Sequence, residues 1–273
     1  MADFGSLARS FVLVGVIWCG PMGASARPPE LSLASEDLAG ETPGDQAAAV
    51  ASSANRKNRD WPLLTLLTPP RKDHDQFTAG PPEPFGRDWL IAPVSDLSAK
   101  WAELQSRILA DQETLAACQS NGDCPAAARR FIAIIELAQQ RQGRARLGEI
   151  NRAVNLSIRP VSDWELYGVD DFWSSPLATF SIGAGDCEDY AIAKYVALRE
   201  SGIAPDDLRL VIVRDLKRDI SHAVVAVRQD REWLILDNRT LVIVNAKEAG
   251  YFEPLFALDD YGVRAFGTMA FRP

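Results

Sequence analysis

The feature that most constrains the fold of this chain is a change in its hydrophobic period near Gly185. Upstream, apolar residues recur at three- and four-residue spacing and predict helices around 101–115, 131–137 and 147–154. Downstream, residues 210–213 form a continuous apolar run that is typical of a strand buried on both faces. Further strands are predicted at 222–227, 233–237 and 241–244. Helices followed by antiparallel strands predict an α+β fold.

A cysteine lies at the point where the period changes, in the string Gly185-Asp186-Cys187-Glu188-Asp189-Tyr190. Asp186 is a favourable N-cap residue and Ser201-Gly202 is a typical helix end, so the string predicts a turn that leads into a helix. A thiol in the first turn of a helix feels the positive end of the helix dipole, which favours the thiolate. Cys187 is therefore a candidate nucleophile if a base can reach it.

The chain has only two histidines from which that base can come. His74 lies in a polar segment flanked by prolines, whereas His222 opens a predicted strand. A pair formed by a cysteine and a histidine must therefore use Cys187 and His222.

The register of the predicted strand pair supplies a third residue. A two-residue turn places Gln229 opposite Glu232 and His222 opposite Arg239, so that Asp237 is a diagonal neighbour of His222 on the same face. A slip of one residue would send Asp237 to the other face; a four-residue loop preserves the arrangement and a three-residue loop does not.

In the predicted division of roles, Cys187 attacks a carbonyl carbon, His222 transfers the proton and Asp237 orients the ring. The backbone N–H of Cys187, and the indole of Trp173, are candidate donors to the oxyanion.

The N-terminal residues predict export from the cytoplasm. Residues 11–18 form a short apolar segment behind Arg9, and Ala24-Ser25-Ala26 fits the small-residue rule for cleavage. We therefore predict a signal peptide at 1–26, a flexible linker at 27–79 and one catalytic domain at 80–273. The apolar segment is too short to span a bilayer, so the mature chain is not expected to be an integral membrane protein.

Cysteine usage agrees with an exported protein. Removal of the signal peptide leaves Cys118, Cys124 and Cys187. Cys118 and Cys124 enclose a short polar loop, and a disulfide between them is expected in an oxidising compartment. The alternative is that all three are buried and reduced.

The net charge of −8 and the absence of a long basic run argue against nucleic acid as a partner. Oxygen ligands are nevertheless concentrated near the cysteine. Asp186, Glu188 and Asp189 suit Ca²⁺, although acidic residues also favour the first turn of any helix. Further oxygen ligands would have to come from upstream residues such as Asp170 or Asp171.

The string from Gly185 to Tyr190, with Asp171-Phe172-Trp173 ahead of it, resembles the bacterial transglutaminase-like cysteine peptidases. The strands that carry His222 and Asp237 are similar to those of the same family. The resemblance covers roughly residues 81–271 and implies a papain-like or transglutaminase-like core with a catalytic Cys-His-Asp triad. For LapG-type members it further implies a periplasmic location and a requirement for calcium, with Asp186 and Glu188 linked to the metal. It also implies a large surface adhesin as substrate, hence control of biofilm attachment, and an inner-membrane receptor as partner.

Two other functions are compatible with the same residues. A transglutaminase or amidase would use the same acyl-enzyme and differ in whether water or an amine resolves it. A catalytically idle module would bind a peptide in a manner that responds to calcium. The Ala223 that follows His222 differs from the methionine frequent in the family, so contacts to the substrate are expected to differ as well.

Overall fold

The computed structural model describes residues 83–87, 89–91, 96–121 and 124–267. The predicted signal peptide and the whole of the predicted linker therefore lie outside the described residues. The helices are α1 Asp96–Asn121, α2 Ala126–Gln139, α3 Gly143–Ser157, α4 Asp163–Tyr167, α5 Pro176–Ile182 and α6 Cys187–Glu200. The strands are β1 Trp89–Ile91, β2 Arg159–Pro160, β3 Ala184–Gly185, β4 Leu208–Asp215, β5 Ile220–Gln229, β6 Glu232–Leu236, β7 Val244–Asn245, β8 Phe252–Asp259 and β9 Gly262–Phe266.

Seven of the described strands form one antiparallel sheet in the order β1-β9-β8-β4-β5-β6-β7. The short strands β2 and β3 pair in parallel and bring the chain to the start of α6. The three long helices precede α6 and the longest strands follow it, so the predicted α+β class is confirmed.

The sheet has a hydrophobic core on each face because the side chains of its central strands alternate. In β4, Leu210 and Ile212 pack with the helices, whereas Val211 and Val213 pack in a second cluster on the opposite face. All four side chains are buried, which confirms the strand predicted at 210–213. Helix α6 packs against β4 and β5 and also contacts α2, α3 and α5, so it lies between the sheet and the other helices.

The hairpin of β5 and β6 has the predicted register. Gln229 pairs with Glu232, and the ladder continues to Val225 and Leu236. The turn residues Asp230 and Arg231 have φ angles of 53° and 67°, the left-handed conformations of a type I′ turn. This turn fixes the two-residue loop and hence the side of the sheet on which each side chain falls.

The structure corrects the strand predicted at 241–244. Only Val244 of that segment joins the sheet, and Leu241 and Val242 are exposed. The chain leaves the ladder after Leu236 because the side chain of Asn155 in α3 donates hydrogen bonds to the carbonyls of Asp237 and Thr240. Strands β8 and β9 were not predicted; a register shift in the pairing of β8 with β4 interrupts the alternation that a sequence pattern can reveal.

The predicted disulfide between Cys118 and Cys124 is present and joins the end of α1 to the segment before α2. Both cysteines are buried, so the link also belongs to the core of the helical layer.

Candidate active site

Cys187 is the first residue of α6, directly after β3, and is 2% exposed. The backbone N–H of Ala223 in β5 donates a hydrogen bond to its Sγ at 3.3 Å. Glu188 Oε2 lies 3.4 Å from the same sulfur. The sulfur of Cys187 is disulfide-bonded in this structure. The sulfur is thus held beside the residue that follows His222.

His222 and Asp237 are in direct contact at the same end of the sheet. His222 Nε2 lies 2.9 Å from Asp237 Oδ1, and both side chains are buried. A proton on Nε2 that is shared with the carboxylate leaves Nδ1 as the acceptor nitrogen of the neutral ring. The second and third residues of the predicted constellation are therefore brought together, and the first lies against the neighbouring backbone.

The environment shifts the pKa values of this pair. Burial lowers the pKa of His222, although the hydrogen bond to Asp237 opposes the shift. Burial also opposes ionisation of Asp237, but the hydrogen bond to His222 and the charge of Arg239 outweigh it and lower the pKa of Asp237 well below its usual value. Asp237 is consequently ionised at neutral pH, as an orienting carboxylate must be.

A cluster of carboxylates surrounds the start of α6. Asp163, Asp186 and Glu188 are buried, and each offers an oxygen within 4.8 Å of the oxygens offered by the other two. Asp163 Oδ2 accepts the backbone N–H of Phe172, while Asp163 Oδ1 and Asp186 Oδ1 are buried with no hydrogen-bond partner. Asp186 occupies the N-cap position of α6, but its side chain makes no capping hydrogen bond. The Asp186 carboxylate therefore does not form the predicted N-cap and is available for another role.

Burial and mutual repulsion raise the pKa values throughout this cluster. The pKa of Asp163 rises to about 6, mainly through burial. Burial, with the charge of Asp186 added, raises the pKa of Glu188 well above its usual value. Buried carboxylates at this density must either take up protons or share a cation. An all-oxygen donor set of this kind is chemically suited to Ca²⁺.

The structure changes which upstream residues can contribute to a metal site. Asp170 is exposed, and Asp171 is occupied by Lys100 at 2.6 Å and by the indole N–H of Trp173 at 2.9 Å. Asp163 is instead the upstream residue whose carboxylate lies beside those of Asp186 and Glu188. Sequence reasoning missed Asp163 because it lies inside the capping box of Ser162 and Glu165, which reads as an ordinary helix start.

Trp173 is a core residue in this structure. Its side chain is fully buried, stands edge-on to Trp101 and uses its indole N–H to bind Asp171. That N–H is therefore committed within the fold, which leaves the backbone N–H of Cys187 as the remaining predicted oxyanion donor. The first N–H groups of a helix have no acceptor inside the helix.

Comparison with known families gives one match. A family model described as bacterial transglutaminase-like cysteine proteinase matches residues 114–252, which include Cys187, His222 and Asp237. Comparison with curated proteins finds no match.

Several solved structures are similar to parts of the chain. LapG of Legionella pneumophila is 25% identical with a TM-score of 0.48, over 57% of this chain and 87% of that one. A calcium-bound structure of the same protein is 24% identical with a TM-score of 0.48, over 60% of this chain and 93% of that one. A putative cysteine protease from Cytophaga hutchinsonii is 18% identical with a TM-score of 0.29, over 67% of this chain and 61% of that one.

Among the described residues, no helix combines the length and the apolar character needed to cross a bilayer.

Proposed function

Because the chain belongs to the bacterial transglutaminase-like cysteine proteinase family, we propose that it is an exported endopeptidase that cleaves a protein substrate through Cys187, His222 and Asp237. The observation that carries the proposal is the joint placement of these groups. His222 Nε2 is 2.9 Å from Asp237 Oδ1, and the N–H of the next residue, Ala223, binds Cys187 Sγ. The reaction requires the reduced thiol of Cys187.

The first half of the reaction forms an acyl-enzyme. His222 Nδ1 accepts the thiol proton, and Cys187 Sγ attacks the carbonyl carbon of the scissile peptide bond. The developing oxyanion is stabilised by the backbone N–H of Cys187. His222 then gives its proton to the leaving amine as the C–N bond breaks, and a thioester remains on Cys187.

Hydrolysis completes the cycle. His222 removes a proton from water, the resulting hydroxide attacks the thioester, and the proton returns to the departing sulfur. Asp237 remains ionised throughout and stabilises the cationic ring. The hydrogen bond from Ala223 N–H favours negative charge on the sulfur in each step.

We further propose that Asp163, Asp186 and Glu188 hold a calcium ion. Their buried oxygens fit a hard cation, and two of those oxygens have no other hydrogen-bond partner. When bound, the ion would neutralise the carboxylates, including Glu188, whose Oε2 is 3.4 Å from Cys187 Sγ. An uncompensated negative charge at that distance would raise the pKa of the thiol.

The proposed location and partners follow from the sequence. The predicted signal peptide supports the periplasm as the site of action. The resemblance of the string around Cys187 to LapG-type peptidases supports a large surface adhesin as the substrate and an inner-membrane receptor as a regulator.

The test compares the reduced mature protein with its Cys187→Ala variant on cell-surface extract, and maps new protein termini by mass spectrometry. New N-termini are expected only with the wild type, because the variant lacks the nucleophile; His222→Gln should lower the rate at least about 10³-fold. Circular dichroism establishes that the variants fold. Cleavage by Cys187→Ala would refute the assignment. Cross-linked products without new termini would instead indicate amine transfer, and no product of either kind would indicate a binding module.

A further inference from the structure

We propose that Arg239 and Asp215 are positioning residues that hold Asp237 in the orientation needed to fix the tautomer of His222. The inference builds on the proposed triad and adds two residues to it. Neither of them is adjacent in sequence to Cys187 or His222, and neither touches the reacting atoms.

Arg239 contacts Asp237 through its backbone and through its side chain. Its backbone N–H donates to Asp237 Oδ1 at 3.0 Å, and its Nη2 lies 3.4 Å from Asp237 Oδ2. Because Oδ1 also contacts His222 Nε2, both oxygens of the carboxylate are engaged. Contacts to both oxygens fix the plane of a carboxylate, which a single hydrogen bond would leave able to rotate.

Asp215 anchors the guanidinium in turn. Arg239 Nη1 lies 2.9 Å from Asp215 Oδ2, and the Asp215 side chain is fully buried. Asp215 Oδ1 accepts the backbone N–H groups of Lys217 and Arg218 at 3.0 and 3.3 Å. Although burial opposes ionisation, hydrogen bonds from Arg218 and Lys217 and the charge of Arg239 lower the pKa of Asp215. The anchor therefore carries a full negative charge.

The topology explains why these four residues meet. Asp215 ends β4 and pairs with Ile220 of β5, two residues before His222, while Asp237 and Arg239 follow β6 on the other side of β5. The contacts Asp215–Arg239–Asp237–His222 thus cross three neighbouring strands at one end of the sheet. The ring of Phe252 lies beneath them, 5.8 Å from the His222 ring and 5.8 Å from the Arg239 guanidinium.

The consequence for the reaction is geometric. A carboxylate held at both oxygens keeps the proton of the neutral imidazole on Nε2, so the lone pair of Nδ1 remains available to the thiol. Without the contacts of Arg239 to Asp237 and Asp215, the Asp237 carboxylate could rotate and the His222 ring could exchange tautomers. Partners that orient metal-ligating histidines contribute about 10- to 100-fold to affinity or activity, and we expect an effect of similar size for the histidine here.

The test uses Asp215→Asn and Arg239→Gln, with Arg214→Gln as the matched control. Arg214 precedes Asp215 in β4, and its exposed side chain pairs with the exposed Asp219. Long-range ¹H–¹⁵N NMR on the mature protein with Cys187 reduced reports the tautomer directly. Only two histidines are present, and His222→Gln assigns the signals. Turnover is measured on a peptide copied from a mapped cleavage site.

The two variants are expected to lower kcat by about 10- to 100-fold with KM within about twofold of wild type, and to replace the Nε2–H pattern of His222 by a mixture of tautomers. Arg214→Gln should change neither. If Asp215→Asn or Arg239→Gln does not fold, Arg239→Lys is the variant that tests the proposal. Lysine keeps the positive charge but cannot contact Asp215 and Asp237 at once as the guanidinium does, so it should also give mixed tautomers of His222.

Two results would overturn the proposal: an unchanged His222 spectrum in a folded Asp215→Asn, Arg239→Gln or Arg239→Lys variant, or an equal loss of kcat in Arg214→Gln. The tautomer measurement needs no substrate. Failure of the proposed peptidase function would therefore be recognised separately, as cleavage by Cys187→Ala or as no cleavage at all.

Discussion

Gly185 lies where β3 leads into α6, and its lack of a side chain makes room for Asp189. A Cβ atom at this position would stand 2.8 Å from the Cβ of Asp189. Asp189 in turn accepts the backbone N–H of Ser174 at 2.8 Å. The glycine therefore lets the first turn of α6 sit close to the chain before it, which sets the position of Cys187.

Gly185→Ala is expected to destabilise the protein by about 1–3 kcal/mol, because Asp189 or the backbone must shift to accept the methyl group. Gly148→Ala is the matched control. Gly148 lies in α3 with open space around it, so the same change there should stabilise by about 0.5–1 kcal/mol. Urea unfolding of both variants measures the difference; equal effects would contradict the account of Gly185.

Helix α6 is the element that connects the candidate site to the core. It is buried on all sides from Cys187 to Leu198, in agreement with its position between the sheet and the other helices. Lys194 lies inside this buried stretch at 1% exposure. Burial lowers the pKa of Lys194 to about 7, and the charge of Asp237 opposes the shift only in part.

Because Lys194 is buried, the free energy of unfolding should rise with pH. Between about 7 and 10.5 the unfolded chain holds a proton on this lysine that the folded chain lacks. Stability therefore rises with pH across this window, by up to about 1.4 kcal/mol for each pH unit. In Lys194→Met this part of the rise should be absent. Urea unfolding at several pH values measures it, with the exposed Lys247→Met as control. Identical slopes in wild type and Lys194→Met would contradict the prediction.

At the scale of the whole molecule, the proposed calcium site joins two segments that are distant in sequence. Asp163 opens α4, whereas Asp186 and Glu188 lie at the start of α6. Without a cation, these buried carboxylates must repel one another or take up protons, and both oppose the close approach of the two segments. Calcium should therefore stabilise the folded protein as well as favour the thiolate of Cys187.

Calcium at about 100 times its dissociation constant should stabilise the folded protein by about 2.7 kcal/mol, which corresponds to a rise in Tm of roughly 5–10 °C over the EGTA-treated protein. The double variant Asp163→Asn/Asp186→Asn should lose this response, and Asp230→Asn, at an exposed turn, should retain it. Differential scanning calorimetry measures the shift. Equal Tm and activity in calcium and in EGTA would remove the calcium proposal.

What the sequence determined by itself is local. The apolar periods located the three long helices and the buried strand β4, the Asp186-Cys187 turn located the start of α6, and the two-residue turn at Asp230-Arg231 set the register that places His222 beside Asp237. Each of these follows from neighbours within about one turn of helix or one hairpin.

Only the tertiary structure decided the rest. Asp163 joins the carboxylate cluster, Trp173 is committed to Asp171, and Arg239 bridges Asp237 to Asp215. The Asp163 contact depends on how the fold brings the start of α4 to the start of α6. The Arg239 contact depends on the order of β4, β5 and β6 in the sheet. The Trp173 contact is local, but burial and the choice of Asp171 as partner depend on the packing around Trp101. Such contacts leave no periodic trace in the sequence, because the residues that make them also have ordinary local roles as a helix start, an aromatic core residue and a charged strand end.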